Sequence, residues 1–366
     1  MRSGPPLTSE SRSPCPPGYP QAGGAPAVRA RRRTRLFLPD PQNTENYHSF
    51  MERKCVMNKR LKSDILLLLT AFIWGSAFVA QKVGADIGTF TFNGIRTFIG
   101  GLSLIPVILV LDGINKKKNP ADERTPEQKK ADQKLLLLGG LCCGLALFVA
   151  SNLQQYGIYF TTAGKSGFIT SLYAVIVPIL SIVLGRKVRP IIWVCVLAGA
   201  AGLYLLCIPA GESFHLQRGD FFVLLCAFAF AIHIMIIDYF SPKVDGVKMS
   251  CIQFLIAGGI TIVLMFIFES PDWGAILHSW FPILYAGIFS CGIAYTLQIV
   301  AQADADPSEA SLILCLESVF SVITGAIILH EAMDPRGYLG CLLIFGAVVI
   351  SQLPSRSKKD RLPAGE

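Results

Sequence analysis

After about residue 60 the chain is a series of unbroken apolar runs separated by short polar breaks. Each run covers roughly 18–22 residues, enough to cross a ~30 Å hydrocarbon core at 1.5 Å per residue. The pattern predicts ten membrane helices, at 64–82, 90–111, 135–158, 165–184, 190–208, 219–239, 248–268, 280–301, 308–329 and 336–352. Gly140-x-x-x-Gly144 in the third run and the Ala198–Gly202 stretch in the fifth supply small residues that let helices approach closely in lipid. Pro178 in the fourth removes one backbone hydrogen bond, which is tolerated where a neighbour or a cavity satisfies the freed carbonyl.

The polar breaks predict topology. With the N-terminus inside, the inner loops carry Lys116, Lys117, Lys118, Arg124, Lys129, Lys130 and Lys134, then Arg186, Lys187 and Arg189, then Lys243 and Lys248. The C-terminus adds Arg356, Lys358, Lys359 and Arg361, while the outer loops hold little beyond Lys165, Arg218 and Arg336. Basic residues mark the cytoplasmic side, so both termini are expected there and the helix number is even. The 112–134 loop reads as a solvated charge run.

The two halves repeat. At a shift of 156, Asp64, Leu68, Leu69, Ala71 and Phe72 meet Asp220, Leu224, Leu225, Ala227 and Phe228. At a shift of 144, Ala150, Leu153, Gln154, Ile169, Leu172 and Gly202 meet Ala294, Leu297, Gln298, Ile313, Leu316 and Gly346. Five helices per copy place the second copy upside down, an architecture common in secondary transporters.

Composition narrows the class further. Hydrophobic residues are 52% and charged residues 16%, against about 25% charge in a soluble domain. The net charge of +8 sits in tails and alternate loops, which argues against nucleic acid as a partner. Residues 1–56 differ from the rest: nine prolines, an Arg cluster at Arg29, Arg31, Arg32, Arg33 and Arg35, and no apolar run. That segment is expected to be a disordered basic arm. The favoured reading is instead a start at Met57, whose "MNKRLKSD" directly precedes the first run and would make the upstream stretch non-native. Residues 354–366 read as a cytoplasmic tail. Nine of the 11 cysteines lie inside apolar runs without CxxC spacing, so small buried side chains are expected rather than disulfides or a metal site.

Several stretches together resemble one family. "AFIWGSAFVAQK" (71–82) and "FNGIRTFIGG" (92–101) resemble the first two helices of an EamA repeat, and "GKSGFITSLYAVIVPILSIVLGRK" (164–187) resembles the fourth. "PSEASLILCLESVFSVITGAIILHE" (307–331) and "GYLGCLLIFGAVVIS" (337–351) resemble the close of a second repeat. The chain is thus similar to the EamA family of the drug/metabolite transporter superfamily over about 60–353. The resemblance implies an all-α integral membrane protein of ten helices in two inverted five-helix repeats, 60–208 and 219–353. It also implies export of small metabolites such as amino acids or amphiphilic compounds across the bacterial inner membrane, by alternating access about a midplane cavity; no cofactor is expected, and the assembly is read as a monomer or homodimer. The chain departs from the family's usual Glu-Pro in the ninth helix, with Glu317-Ser318, and from its usual Gly-Glu after the fourth, with Gly185-Arg186.

Glu317 is the only carboxylate deep in a run. An acid in the membrane is costly and is a functional candidate by default, here as the group coupling proton movement to transport. A neutral hydrogen bond between helices is the plainer reading. Arg96 presents a planar fork suited to a substrate carboxylate, with Asn93 one turn before it; anchoring by helix-end carbonyls is the alternative. A midplane cavity is expected to be lined by Trp74, Asn93, Arg96, Gln155, Tyr173, Gln253, Tyr295 and Gln298 with Glu317. Asn152, Gln154, Tyr156 and His233 are further polar or amphipathic residues within runs, each readable as an interhelical hydrogen bond. "AGKS" at 163–166 is not a phosphate loop, because G-x-x-x-x-G-K-[ST] requires Gly where Tyr159 stands. The expected protein is a transporter rather than an enzyme. The competing reading, a membrane enzyme or lipid-handling protein, has only His330, Glu331 and Asp334 to offer, in a short outer loop without a nucleophile.

Overall fold

The computed structural model describes residues 41–118, 124–160, 163–208, 218–329 and 335–352. All regular structure among them is helical. The first helix, α1, runs Pro41–Val83 and continues as a short 3-10 turn, Gly84–Ile87. It starts within the stretch read from sequence as an arm, and a boundary between Met51 and Glu52 separates its opening residues from the compact body. Then follow α2 (Thr89–Lys118), α3 (Pro126–Phe160), α4 (Ala163–Ser171), α5 (Tyr173–Val183) and α6 (Pro190–Cys207). The second half holds α7 (Arg218–Phe240), α8 (Gly246–Phe268), and the short α9 (Trp273–His278) and α10 (Trp280–Leu284). A π-helical segment, Tyr285–Ala294, leads into α11 (Tyr295–Gln302), followed by α12 (Pro307–Leu314), α13 (Glu317–Leu329) and α14 (Pro335–Gln352).

Among the described residues, eight helical spans are long and apolar enough to cross a membrane, and two shorter apolar helices, Pro190–Leu205 and Pro335–Ser351, accompany them. The surface is apolar: Val183, Leu197, Phe268 and Leu342 are among many large side chains left exposed. Arg96, Gln253, Gln298 and Glu317 are buried instead. This reverses the soluble pattern and suits a solvent of lipid tails.

Glycines show how the helices run past one another. A Cβ at Gly94 would meet Ile262, one at Gly258 would meet Phe98, and one at Gly101 would meet Leu255, so α2 and α8 are antiparallel. Gly140 and Gly144 abut Ile252 and Ile256, which makes α3 parallel to α8 and gives the Gly-x-x-x-Gly pair its partner. Gly157 meets Val223 while Gly139 meets Phe240, so α3 is antiparallel to α7. Gly100 meets Cys291 and Gly292 meets Ser103, so the π segment is parallel to α2. It follows that α2 and its sequence-repeat counterpart α8 point opposite ways, as do α3 and the π segment with α11.

Polar contacts close both ends of the α2–α8 pair. The Glu269 carboxylate accepts from the backbone N–H of Phe90 and Thr91 at 2.9 and 2.7 Å, capping the N-terminus of α2. At the other end Lys248 pairs with Asp112 at 2.7 Å. Elsewhere Glu309, in the first turn of α12, pairs with Arg60 of α1 at 2.8 Å and with Arg189 ahead of α6.

Two boundaries differ from the sequence expectation. Much of the 112–134 loop is helix, because α3 starts at Pro126. There Thr125 and Gln128 form a reciprocal cap, with Thr125 N–H donating to Gln128 Oε1 at 2.8 Å and Gln128 N–H to Thr125 Oγ1 at 3.2 Å. The fourth and ninth runs are each broken, at Leu172 and at Cys315–Leu316. Pro178 lies inside α5 and not at the break. Leu172 and Leu316 are partners in the repeat at a shift of 144. A break shared by both repeats, with no proline at either point, belongs to the architecture.

Candidate functional site

The two broken helices meet at the centre. Tyr173 opens α5 and Glu317 opens α13, each just past its break and each the other's partner at a shift of 144. The Tyr173 hydroxyl donates to Glu317 Oε1 at 3.0 Å, and Ser171 Oγ lies at 3.4 Å from the same oxygen. Ser171 and Ser318 hydroxyls are 2.7 Å apart, and Ser318 Oγ also donates to the Gly167 carbonyl at 3.3 Å. Glu317 is therefore held by hydroxyl donors, with no cation in ion-pair contact among the described residues.

A cavity opens beside this junction. From α1 it receives Trp74, Phe78 and Gln81, spaced four and three residues apart on one face. From α2 it receives Arg96, and from α7 Phe230, His233 and Ile234. Gln154, Thr170 and Tyr173 reach it from α3, α4 and α5, and Ser290, Tyr295, Gln298 and Glu317 from the second half. It leaves about 30 Å³ for the centres of water-sized molecules. That is room for roughly two or three waters, so a metabolite needs the cavity to widen.

Arg96 is 4% exposed. Its Nε donates to Asn93 Oδ1 at 3.1 Å, and its guanidinium stands 5.5 Å from the Phe92 ring centroid. No carboxylate among the described residues pairs with it. Asn93 is fixed in turn by donating to Ser151 Oγ at 3.1 Å. One wall is aromatic: the Trp74 and Tyr295 rings are 4.5 Å apart, with Phe254 and His233 packed edge-on to Tyr295 at 5.3 and 6.1 Å. The indole N–H of Trp74 donates to the Ser290 carbonyl at 3.4 Å, and Thr70 Oγ1 donates to the Ala294 carbonyl at 3.1 Å. Helix α1 thus satisfies carbonyls that the π segment presents sideways.

Of the nine residues expected from sequence, Trp74, Arg96, Tyr173, Tyr295, Gln298 and Glu317 line this cavity. Asn93, Gln155 and Gln253 stand behind it. Gln155 Nε2 donates to the Gln81 carbonyl at 3.3 Å, and Gln253 Oε1 lies 3.0 Å from His233 Nε2. Gln154 takes the place expected for Gln155, and its repeat match with Gln298 was the signal that separates the two. His233 lines the wall that Gln253 was expected to line. Phe78, Gln81, Phe230 and Ile234 lacked a chemical signal, although helical spacing from Trp74 reaches the first two. His330, Glu331 and Asp334 lie outside the described residues.

These features coincide with a known pattern. The model of the EamA-like transporter family matches residues 61–208 and again 217–352. The chain belongs to the EamA-like transporter family. It is 31% identical over 303 residues to an uncharacterized transporter of Archaeoglobus fulgidus, a match covering 81% of this chain and 87% of that protein. It is 26% identical to the uncharacterized transporter YoaV of Bacillus subtilis, over 76% of this chain and 92% of that one. A solved crystal structure shares the fold with a TM-score of 0.64 at 17% identity, covering 79% of this chain and 96% of that one. This EamA-like protein is accordingly a multi-pass membrane transporter, not an enzyme, and its natural surroundings are small solutes and lipid.

Proposed function

We propose that this transporter is a secondary carrier that exports small amino-acid-like metabolites by alternating access about the central cavity. The observation that carries the reading is the pair of buried ionisable groups of opposite type on one cavity: Arg96, without an ion-pair partner among the described residues, and the acid Glu317, held by hydroxyls. A buried charge left without a counter-ion is costly. A solute with a carboxylate for Arg96 and an ammonium for Glu317 would complete both. The aromatic wall of Trp74 and Tyr295 suits an ammonium or an apolar side chain.

In this reading the two shorter helices also cross the bilayer. The crossings then number ten and both termini face the cytoplasm, which agrees with the basic loops. The antiparallel relation of α2 to α8 supports inverted repeats that rock about the cavity. Glu317 couples the movement to protons. The outward direction and the bacterial inner membrane follow the family's usual behaviour.

The test is efflux from proteoliposomes loaded with the twenty isotopically labelled proteinogenic amino acids, with and without a proton gradient. A subset leaves through the wild-type protein, and Arg96→Ala and Glu317→Gln both stop it. If folded wild-type protein moves none of them, the reading fails. If Glu317→Gln moves them normally across pH, the coupling role fails.

A further inference from the structure

The repeat can be carried into the cavity residue by residue. The shift of 144 that pairs Leu172 with Leu316 also pairs Tyr173 with Glu317 and Gln154 with Gln298. The first pair marks the two helix breaks and the second is in hydrogen-bond contact, so the register is physical. Gln154 and Gln298 both line the cavity, at 6% and 1% exposure. They sit on antiparallel elements, six and four residues from the ends of α3 and α11. That places them ~9 and ~6 Å along the axis from ends that face opposite sides of the membrane.

Their surroundings differ at the hydroxyl nearest Gln154. Gln154 Nε2 donates to Thr170 Oγ1 at 3.3 Å. The repeat partner of Thr170 is Leu314, which has no hydroxyl to offer. Gln298 Oε1 is buried without a hydrogen-bond partner among the described residues. One glutamine is tied back and the other is presented. A buried amide oxygen without a donor is unfavourable until something supplies an N–H.

We infer that Gln154 and Gln298 are a repeat-related pair of solute contacts used in turn, each binding an N–H donor of the solute in one of the two access states. In the state described here Gln298 is presented and Thr170 holds Gln154 aside. When the repeats exchange conformations, Gln154 swings to the solute and Gln298 withdraws. The inference rests on the carrier reading above and adds the residues that serve each face.

The experiment measures half-saturation by the labelled amino-acid pool from each face separately, in right-side-out and inside-out proteoliposomes. Gln298→Leu raises it by about fivefold on one face and by less than about twofold on the other, the scale of one lost hydrogen bond. Gln154→Leu shows the opposite face preference. Thr170→Val, which gives the first repeat the second repeat's apolar neighbour, shifts only the face that Gln154 serves. Gln→Asn at either site, which keeps the amide and shortens its reach, gives a weaker form of the same pattern and replaces any Leu variant that fails to fold. Equal effects on both faces would show a structural role, and no effect would show no contact; either overturns the inference. A wild-type protein that moves nothing in the pool overturns the carrier reading itself, and the inference with it.

Discussion

The long helix α3 and the element from Trp280 to Gln302 hold equivalent places in the two repeats, yet they are built differently. The first is one α-helix of 35 residues. The second passes through ten residues of π-helix before returning to α at Tyr295. Around the cavity the repeats diverge in the same way: Trp74 faces Phe230 and Tyr173 faces Glu317 across shifts of 156 and 144. The backbone plan is duplicated, while the chemistry is concentrated on one side. A fully symmetric cavity would hold a solute equally well from either face. The single acid, the π segment and the lone indole are where this molecule departs from that equality.

The largest effects are expected where the halves differ in charge. Arg96→Ala or Glu317→Gln reduces efflux to background, and Tyr173→Glu does not restore it in the second variant, because the half-helix head it occupies belongs to the other repeat. The check is the efflux assay on each purified protein. Next comes Trp74→Phe, which makes α1 resemble α7 at this position. It removes the indole donor to the Ser290 carbonyl and is expected to cost about 1 kcal/mol, the net value of a hydrogen bond, visible as a lower thermal midpoint in detergent.

Gly202 and Gly346 sharpen the comparison further, since they are repeat partners with opposite surroundings. A Cβ at Gly202 would stand 2.7 Å from the Gly340 carbonyl, whereas one at Gly346 would meet nothing within 4 Å among the described residues. Gly202→Ala is expected to destabilise by about 1–3 kcal/mol through overpacking. Gly346→Ala should be neutral or stabilise by roughly 0.5–1 kcal/mol, because alanine favours helix. Thermal unfolding of the two variants side by side checks both. Among the changes to efflux Tyr173→Phe gives the smallest: Glu317 keeps Ser171, and efflux falls only a few-fold for one lost hydrogen bond.

The positions of the runs were legible from hydropathy because a membrane span has one dominant requirement, an apolar length. The helix breaks were not, because Leu172 and Cys315–Leu316 carry no proline or glycine; the one proline in the region, Pro178, sits inside α5. The π segment is likewise silent in sequence, and two of its carbonyls find their side-chain donors, Thr70 and Trp74, more than 200 positions away. Arg96 and Glu317 could be picked out because a charge in an apolar run is conspicuous. Adjacent identical residues cannot be told apart by type; the repeat match of Gln154 with Gln298 separates them, and in the structure Gln155 turns to the Gln81 backbone.

The central claim is that Arg96 and Glu317 serve the two ends of one solute. The most direct measurement is proteoliposome efflux of a labelled set containing zwitterionic amino acids, their carboxyl amides and their N-acetyl derivatives. The account predicts that wild-type protein moves the zwitterions and favours them over both derivatives, with Arg96→Ala abolishing the advantage over the amides and Glu317→Gln abolishing that over the N-acetyl forms. Equal movement of all three classes by the wild-type protein would contradict it.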